Sequence, residues 1–200
     1  MFITKNKLSN RCDITACNTG DSRFAIFDCD APKDDNDKPT IITSIDHKCT
    51  TPSEKARIEK AGGFVDQNGR LNSILAMSRA FGDFALKNNS THVNEQLLTC
   101  DPDITRTSIH INDKCSTMLI NEKFKFIVIA SDGLWDVMST HECERFVVEG
   151  LEDQLQQGKS IQECDLETIT SVMVRDAVYN KKSIIDNVTV ILILLHQIKS

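Results

Sequence analysis

Two aspartates occupy positions from which carboxylates can hold a hard cation. Asp132 follows directly on the apolar run Phe124–Ala130, in S-D-G-L-W-D, and Asp186 directly precedes the run Val188–Leu195, in I-I-D-N-V-T. If these runs are antiparallel neighbours in a sheet, the end of one and the start of the other share an edge, and the two carboxylates converge there. Oxygen ligands carried by rigid strands suit Mg2+ or Mn2+. Gly133 is expected to let the backbone turn sharply behind the first of them. Asp is also a frequent cap and turn residue, so the spacing alone leaves a structural role open. Asp83, in S-R-A-F-G-D-F, and Asp136, four residues after Asp132, stand in comparable places. Trp135, the single tryptophan, is expected in the core.

The elements that must position these groups are legible. Phe124–Ala130 alternates and then turns fully apolar, as a strand entering a core does. The β-branched and aliphatic run Val188–Leu195 reads as a buried strand. Between them, Ser139 and Glu142 form a capping box opening a helix with Cys143, Phe146, Val147, Leu151 and Leu155 at helical spacing. A further helix is predicted from Asp165 to Asn180. Nearer the start, Arg23–Phe27 and Thr40–Ile45 read as a hairpin whose loop is the polar run Asp28–Lys38. The aspartates of that loop miss the EF-hand calcium spacing, because no Gly follows them. Thr51, Pro52 and Glu54 predict a helix start with a capping box, and Gly62 its left-handed end. Asn68-Gly69 predicts a type I′ hairpin turn. Strands dominate both ends and helices cluster between them, which points to an α+β domain.

Composition bounds the rest. The 200 residues include 40 % apolar and 26 % charged residues, with a net charge of −6. That suffices for a packed core without disulfides or a structural metal, and excludes a wholly disordered chain. The acidic balance argues against nucleic acid or an anionic membrane as the main partner. The longest wholly apolar run, Val190–Leu195, is far below the ~20 residues of a spanning helix. The first residues carry no apolar signal region, so a cytoplasmic or nuclear rather than secreted protein is expected. Eight cysteines show no C-x-x-C pair or metal-ligand spacing, and are expected as free thiols.

Six motifs in order resemble the metal-dependent Ser/Thr protein phosphatases of type 2C. They are G-D-S-R (20–23), D-H-K with P-S-E-K-A-R-I-E-K-A-G-G (46–63), A-M-S-R-A-F-G-D (76–83), D-P-D-I (101–104), A-S-D-G-L-W-D-V-M-S (130–139) and D-N-V-T-V-I (186–191). The resemblance implies an antiparallel β-sandwich flanked by helices in α-β-β-α layers, with a two-metal centre of Mg2+ or Mn2+ at one end. There a metal-bridged water hydrolyses phosphoserine or phosphothreonine on a phosphoprotein. It places Asp132 and Asp186 at two of the family's metal ligands, Asp83 and Asp136 at positions for an additional metal, and His47 in a structural element.

The chain departs from the family pattern at its start. The family has, before G-D-S-R, an Arg that grips phosphate, a Glu-Asp pair and a D-G-H-G element with a bridging Asp and a general-acid His. None occurs here: the 19 residues before Gly20 hold Asp13 but no Glu or His. Residues 1–200 are thus expected to form a single partial phosphatase domain, incomplete at its N-terminus. No catalytic residue is assignable beyond the metal ligands, and metal binding and turnover by the chain alone should be weak, because paired cations repel and need several carboxylates. An upstream segment or a second chain would complete such a domain, and a non-catalytic binding module is the alternative.

A second phosphatase chemistry finds a foothold in Cys17-Asn18-Thr19-Gly20-Asp21-Ser22-Arg23, which fits C-x-x-G-x-x-R. That loop needs a helix N-terminus to hold its anion, whereas β-like F-A-I-F follows, and Asp21 would put a carboxylate in the anion cradle. Cys17 is therefore expected to be a small buried residue on a strand.

Overall fold

The computed structural model describes residues 2–6, 11–28, 40–87, 96–110, 124–180 and 186–195. These pack as two compact units: the described residues within 1–16, 23–43 and 106–200 form the first, and those within 17–22 and 44–105 the second.

The first unit is built on two sheets. Strands β1 (Phe2–Asn6), β2 (Arg11–Asn18) and β5 (Asp103–His110) form one, in the order β1-β2-β5, with Cys17, Asn18 and residues 103–105 belonging to the second unit. Strands β3 (Arg23–Asp28), β4 (Thr40–Thr43), β6 (Lys125–Ala130) and β7 (Val190–Leu194) form the other, in the order β4-β3-β6-β7, all antiparallel. Alternation along each strand sorts the side chains to two faces. Cys12, Ile14 and Ala16 of β2 and Ile109 of β5 meet Phe24, Ile26 and Ile127 between the sheets. On the opposite face of the four-stranded sheet, Ala25, Phe27, Phe126 and Val128 pack against the helices α3 (Thr140–Gln156) and α4 (Leu166–Arg175), through Cys143, Val147, Leu151, Ile169 and Met173. Phe27 and Phe126 stack with ring centroids 4.5 Å apart. The protein is an α+β sandwich of antiparallel sheets flanked by helices, as the resemblance implied.

Several local expectations hold. The hairpin of Arg23–Phe27 with Thr40–Ile45 is the antiparallel pair β3–β4. The Ser139 hydroxyl accepts from Glu142 N–H while the Glu142 carboxylate accepts from Ser139 N–H, closing the capping box of α3. Asp165 caps α4, which runs on into a π-helical turn over Asp176–Asn180. The polar loop Asp28–Lys38 lies, after Asp28, outside the described residues.

The second unit carries α1 (Pro52–Lys60) and a cluster of Cys49, Ile58, Leu71, Ala80 and Leu98. Two expectations there need correction. Thr51 and Glu54 do not form a capping box. The Glu54 carboxylate turns inward instead and accepts from Arg57 (2.9 Å), Ser78 Oγ (2.6 Å) and Arg79 (2.7 Å). A buried carboxylate between two guanidiniums gains more from charge-assisted hydrogen bonds than from one N-terminal backbone amide. The turn at Asn68-Gly69 is not type I′ either. Only Gly69 has a left-handed φ, +77°, and its N–H bonds the Asp66 carbonyl at 3.0 Å. The Asp66 carboxylate accepts from the backbone of Asn68 and Arg70. That bridging carboxylate selects a four-residue turn starting at Asp66 over a two-residue one. Gly62, at φ +86°, ends α1 as expected.

Candidate metal centre

The geometry at the end of β6 brings the two sequence-predicted ligands to one edge. Ala130, the last residue of β6, pairs with Val190, the first of β7. Beyond that pair the chains stay joined through Ser131. Its N–H donates to Thr189 O at 3.1 Å, its hydroxyl donates to Asn187 O at 3.1 Å, and it accepts from Thr189 N–H at 3.1 Å. Asp132 follows immediately and opens the short helix α2 (Asp132–Trp135). Asp186 sits one residue before Asn187. Each carboxylate accepts from the next backbone N–H, Asp132 Oδ1 from Gly133 at 3.0 Å and Asp186 Oδ1 from Asn187 at 2.7 Å.

Gly133 is required for a reason other than the one expected. Its φ is not left-handed. A Cβ added there would lie 2.6 Å from Asn187 O and 3.3 Å from Val188 Cγ2. The glycine therefore permits a close approach of α2 to the segment carrying Asp186, not a sharp turn.

Trp135 anchors α2 from behind. Its indole N–H points at two backbone carbonyls, Ala130 O at 3.0 Å and Arg23 O at 3.2 Å, so it ties α2 to the paired ends of β6 and β3. The Arg23 guanidinium lies 5.2 Å from the centre of its ring. Trp135 is buried, as expected. Asp136 is exposed and caps the end of α2; its N–H bonds Asp132 O at 2.8 Å, which places it one turn along from Asp132.

Asp83 lies in the second unit. It is exposed, with a left-handed φ of +49°, and precedes a 3-10 turn over Phe84–Leu86. Among the described residues, no three His, Cys, Asp or Glu side chains gather as a metal-binding group. The donor set of Asp132 and Asp186 fits a hydrated Mg2+ or Mn2+ held through one or two carboxylates, with water completing its shell. It does not by itself make a cage for two cations.

Residues of the G-D-S-R and D-H-K motifs lock together in the second unit. His47 N–H donates to Gly20 O at 3.0 Å, and Gly20 N–H donates back to His47 Nδ1 at 3.0 Å. Lys48 pairs with the buried Asp21 carboxylate at 3.0 Å. Asp103 Oδ2 stands 3.2 Å from His47 Nε2, out of line for a hydrogen bond. His47 is thus structural, as expected. Burial raises the Glu54 carboxyl, but hydrogen bonds from Arg79, Ser78 and Arg57 outweigh it and bring its pKa from 4.5 down to about 2.

Cys17 corrects another expectation: it is exposed on β2, not buried. Arg23 opens strand β3 rather than a helix, so the residues after Gly20 supply no helix N-terminus for an anion cradle.

Comparison with known proteins decides the family. The family model for protein phosphatase 2C matches residues 1–183. The chain belongs to the protein phosphatase 2C family. It is 40 % identical over 151 residues to protein phosphatase 1L of Bos taurus, covering 74 % of this chain and 36 % of that protein. It is 37 % identical over 147 residues to protein phosphatase 2C homolog 2 of Saccharomyces cerevisiae, covering 73 % and 27 %. Among solved structures, a phosphatase from Toxoplasma gondii superposes with a TM-score of 0.66 at 30 % identity, covering 94 % of this chain and 49 % of that one. This phosphatase 2C family member therefore spans 36 % and 27 % of the length of those two curated relatives. No helix among its described residues is long and apolar enough to cross a membrane.

Proposed function

We propose that this chain carries part of the catalytic centre of a metal-dependent protein serine/threonine phosphatase, with Asp132 and Asp186 as ligands of Mg2+ or Mn2+. The observation that supports the reading is the position of both aspartates, each one residue from the Ser131–Asn187 hydrogen bond that joins the two segments. A divalent cation held there supplies positive charge that acidifies a water and neutralises a phosphoryl group. The chain's own part is to hold two carboxylates just beyond the paired ends of β6 and β7 and to fix their Oδ1 atoms through backbone amides. Asp136, one turn along α2, is a candidate for an additional cation; Asp83 is carried as a second candidate on the resemblance alone. No D-G-H-G element occurs in these 200 residues, and no Glu-Asp pair precedes Gly20. Turnover by this chain alone is therefore expected to be slow, with phosphoproteins as the substrate class and an upstream segment or second chain as the completing partner.

Release of phosphate from a phosphothreonine peptide tests the reading. Slow turnover that requires Mn2+ or Mg2+, survives Cys17→Ser and vanishes in Asp132→Asn is expected. Metal-independent turnover lost in Cys17→Ser would transfer the chemistry to the cysteine loop. No metal-dependent turnover, even with the family's missing elements supplied, would leave a non-catalytic binding module.

A further inference from the structure

We infer that Ser131 is a positioning residue that sets the spacing between the Asp132 and Asp186 carboxylates. This rests on the proposed metal-ligand role of those two aspartates. Regular pairing of β6 with β7 ends at Ala130–Val190. A ladder that stopped there would leave Asp132 two residues past the last pair on one strand and Asp186 four residues before it on the other. Trp135 holds α2 and with it Asp132, but the ladder leaves the Asp186 side free to fray against it.

Ser131 removes that freedom with one side chain. Its hydroxyl is both donor and acceptor, to Asn187 O and from Thr189 N–H, while its own N–H meets Thr189 O. Few side chains of this size can do both: an Ala has neither function, and a Cys thiol is a weak donor and a weak acceptor on a longer bond. The clasp grips both sides of Val188 and ends on the residue whose N–H orients Asp186. On the other strand it is covalently next to Asp132. Gly133 completes the device, because only a residue without a Cβ lets α2 sit against the same Asn187 carbonyl. The path from one carboxylate to the other therefore runs Asp132, Ser131 Oγ, Asn187, Asp186. Partners that orient metal ligands typically change metal affinity about 10- to 100-fold when removed.

The test uses the 200-residue chain with Mn2+ as probe, read as paramagnetic broadening of backbone amide NMR signals. In the wild type, Mn2+ should broaden Asp132, Gly133, Asp186 and Asn187 first. Ser131→Ala should raise the Mn2+ concentration needed at both aspartates about tenfold, and amide exchange should quicken at Thr189. Ser131→Thr, which keeps the hydroxyl, should restore the wild-type titration. Thermal unfolding of each variant separates this effect from a general loosening. Equal titrations in the wild type and Ser131→Ala, or an affinity lost in Ser131→Ala and not restored in Ser131→Thr with its fold intact, would overturn the positioning role alone. Absence of broadening at all four amides in the wild type would overturn the metal-ligand reading and this inference with it.

Discussion

Substituting Gly133 by Ala sets two local rules against each other. Gly133 lies inside α2, and in an unconstrained helix Ala is favoured over Gly by about 1 kcal/mol. Packing demands the reverse. The new Cβ would lie 2.6 Å from Asn187 O. C···O contacts normally begin near about 3.3 Å, so that carbonyl must retreat by about 0.7 Å. The atom that must move is backbone, not the end of a flexible side chain, and it is the acceptor of the Ser131 hydroxyl. Overpacking of this kind costs about 1–3 kcal/mol, and losing one hydrogen bond adds about 1 kcal/mol. After the helix-propensity gain is subtracted, a net loss of about 2 kcal/mol remains. For a chain of this length that lowers Tm by about 4–8 °C. Thermal unfolding followed by circular dichroism measures it directly. A Gly133→Ala protein with an unchanged or raised Tm would refute the close-approach argument.

Further predictions follow from the same contacts. Glu54 has a folded-state pKa near 2 against an ordinary 4.5, so its contribution is full above pH 4.5 and lost as pH falls from there towards 2. At stake is on the order of 3 kcal/mol, and Glu54→Gln should lower stability at pH 7 and flatten that acid limb in urea titrations at stepped pH. Trp135→Phe leaves the Ala130 and Arg23 carbonyls without their shared donor and should cost about 1–3 kcal/mol, measured by urea unfolding. Burial, then the nearby Glu144, pushes the Cys143 thiol up to about 12. In a short alkylation at pH 8 with peptide mapping, Cys17 and Cys100 should be modified first and Cys12, Cys49 and Cys143 last, in line with their exposure.

What the sequence revealed and what it hid follow a physical divide. Strands β3, β6 and β7 and helix α3 were legible because each carries its signal locally, in alternation, in an aliphatic run or in the Ser139–Glu142 box. Their antiparallel order, and with it the shared edge of Asp132 and Asp186, followed from treating the two strands as neighbours. Long-range partners were not legible. Glu54 looked like a capping residue because the arginine that draws it inward, Arg79, is 25 residues away. Gly133 looked like a turn glycine because the Asn187 carbonyl it accommodates lies across the sheet edge. Ser131 carried no signal, since a serine at a strand end is ordinary until its two backbone partners are seen. Cys17 was placed in the core because small thiols usually are, yet on β2 it falls on the face opposite Cys12, Ile14 and Ala16.

The central claim, a divalent-cation site made by Asp132 and Asp186, is tested most directly by equilibrium Mn2+ binding. Free Mn2+ is counted by its electron paramagnetic resonance signal as the chain is titrated. The account predicts weak binding by the wild type, abolished in both Asp132→Asn and Asp186→Asn while circular dichroism stays unchanged. Mn2+ binding that is identical in the wild type and both variants would contradict it.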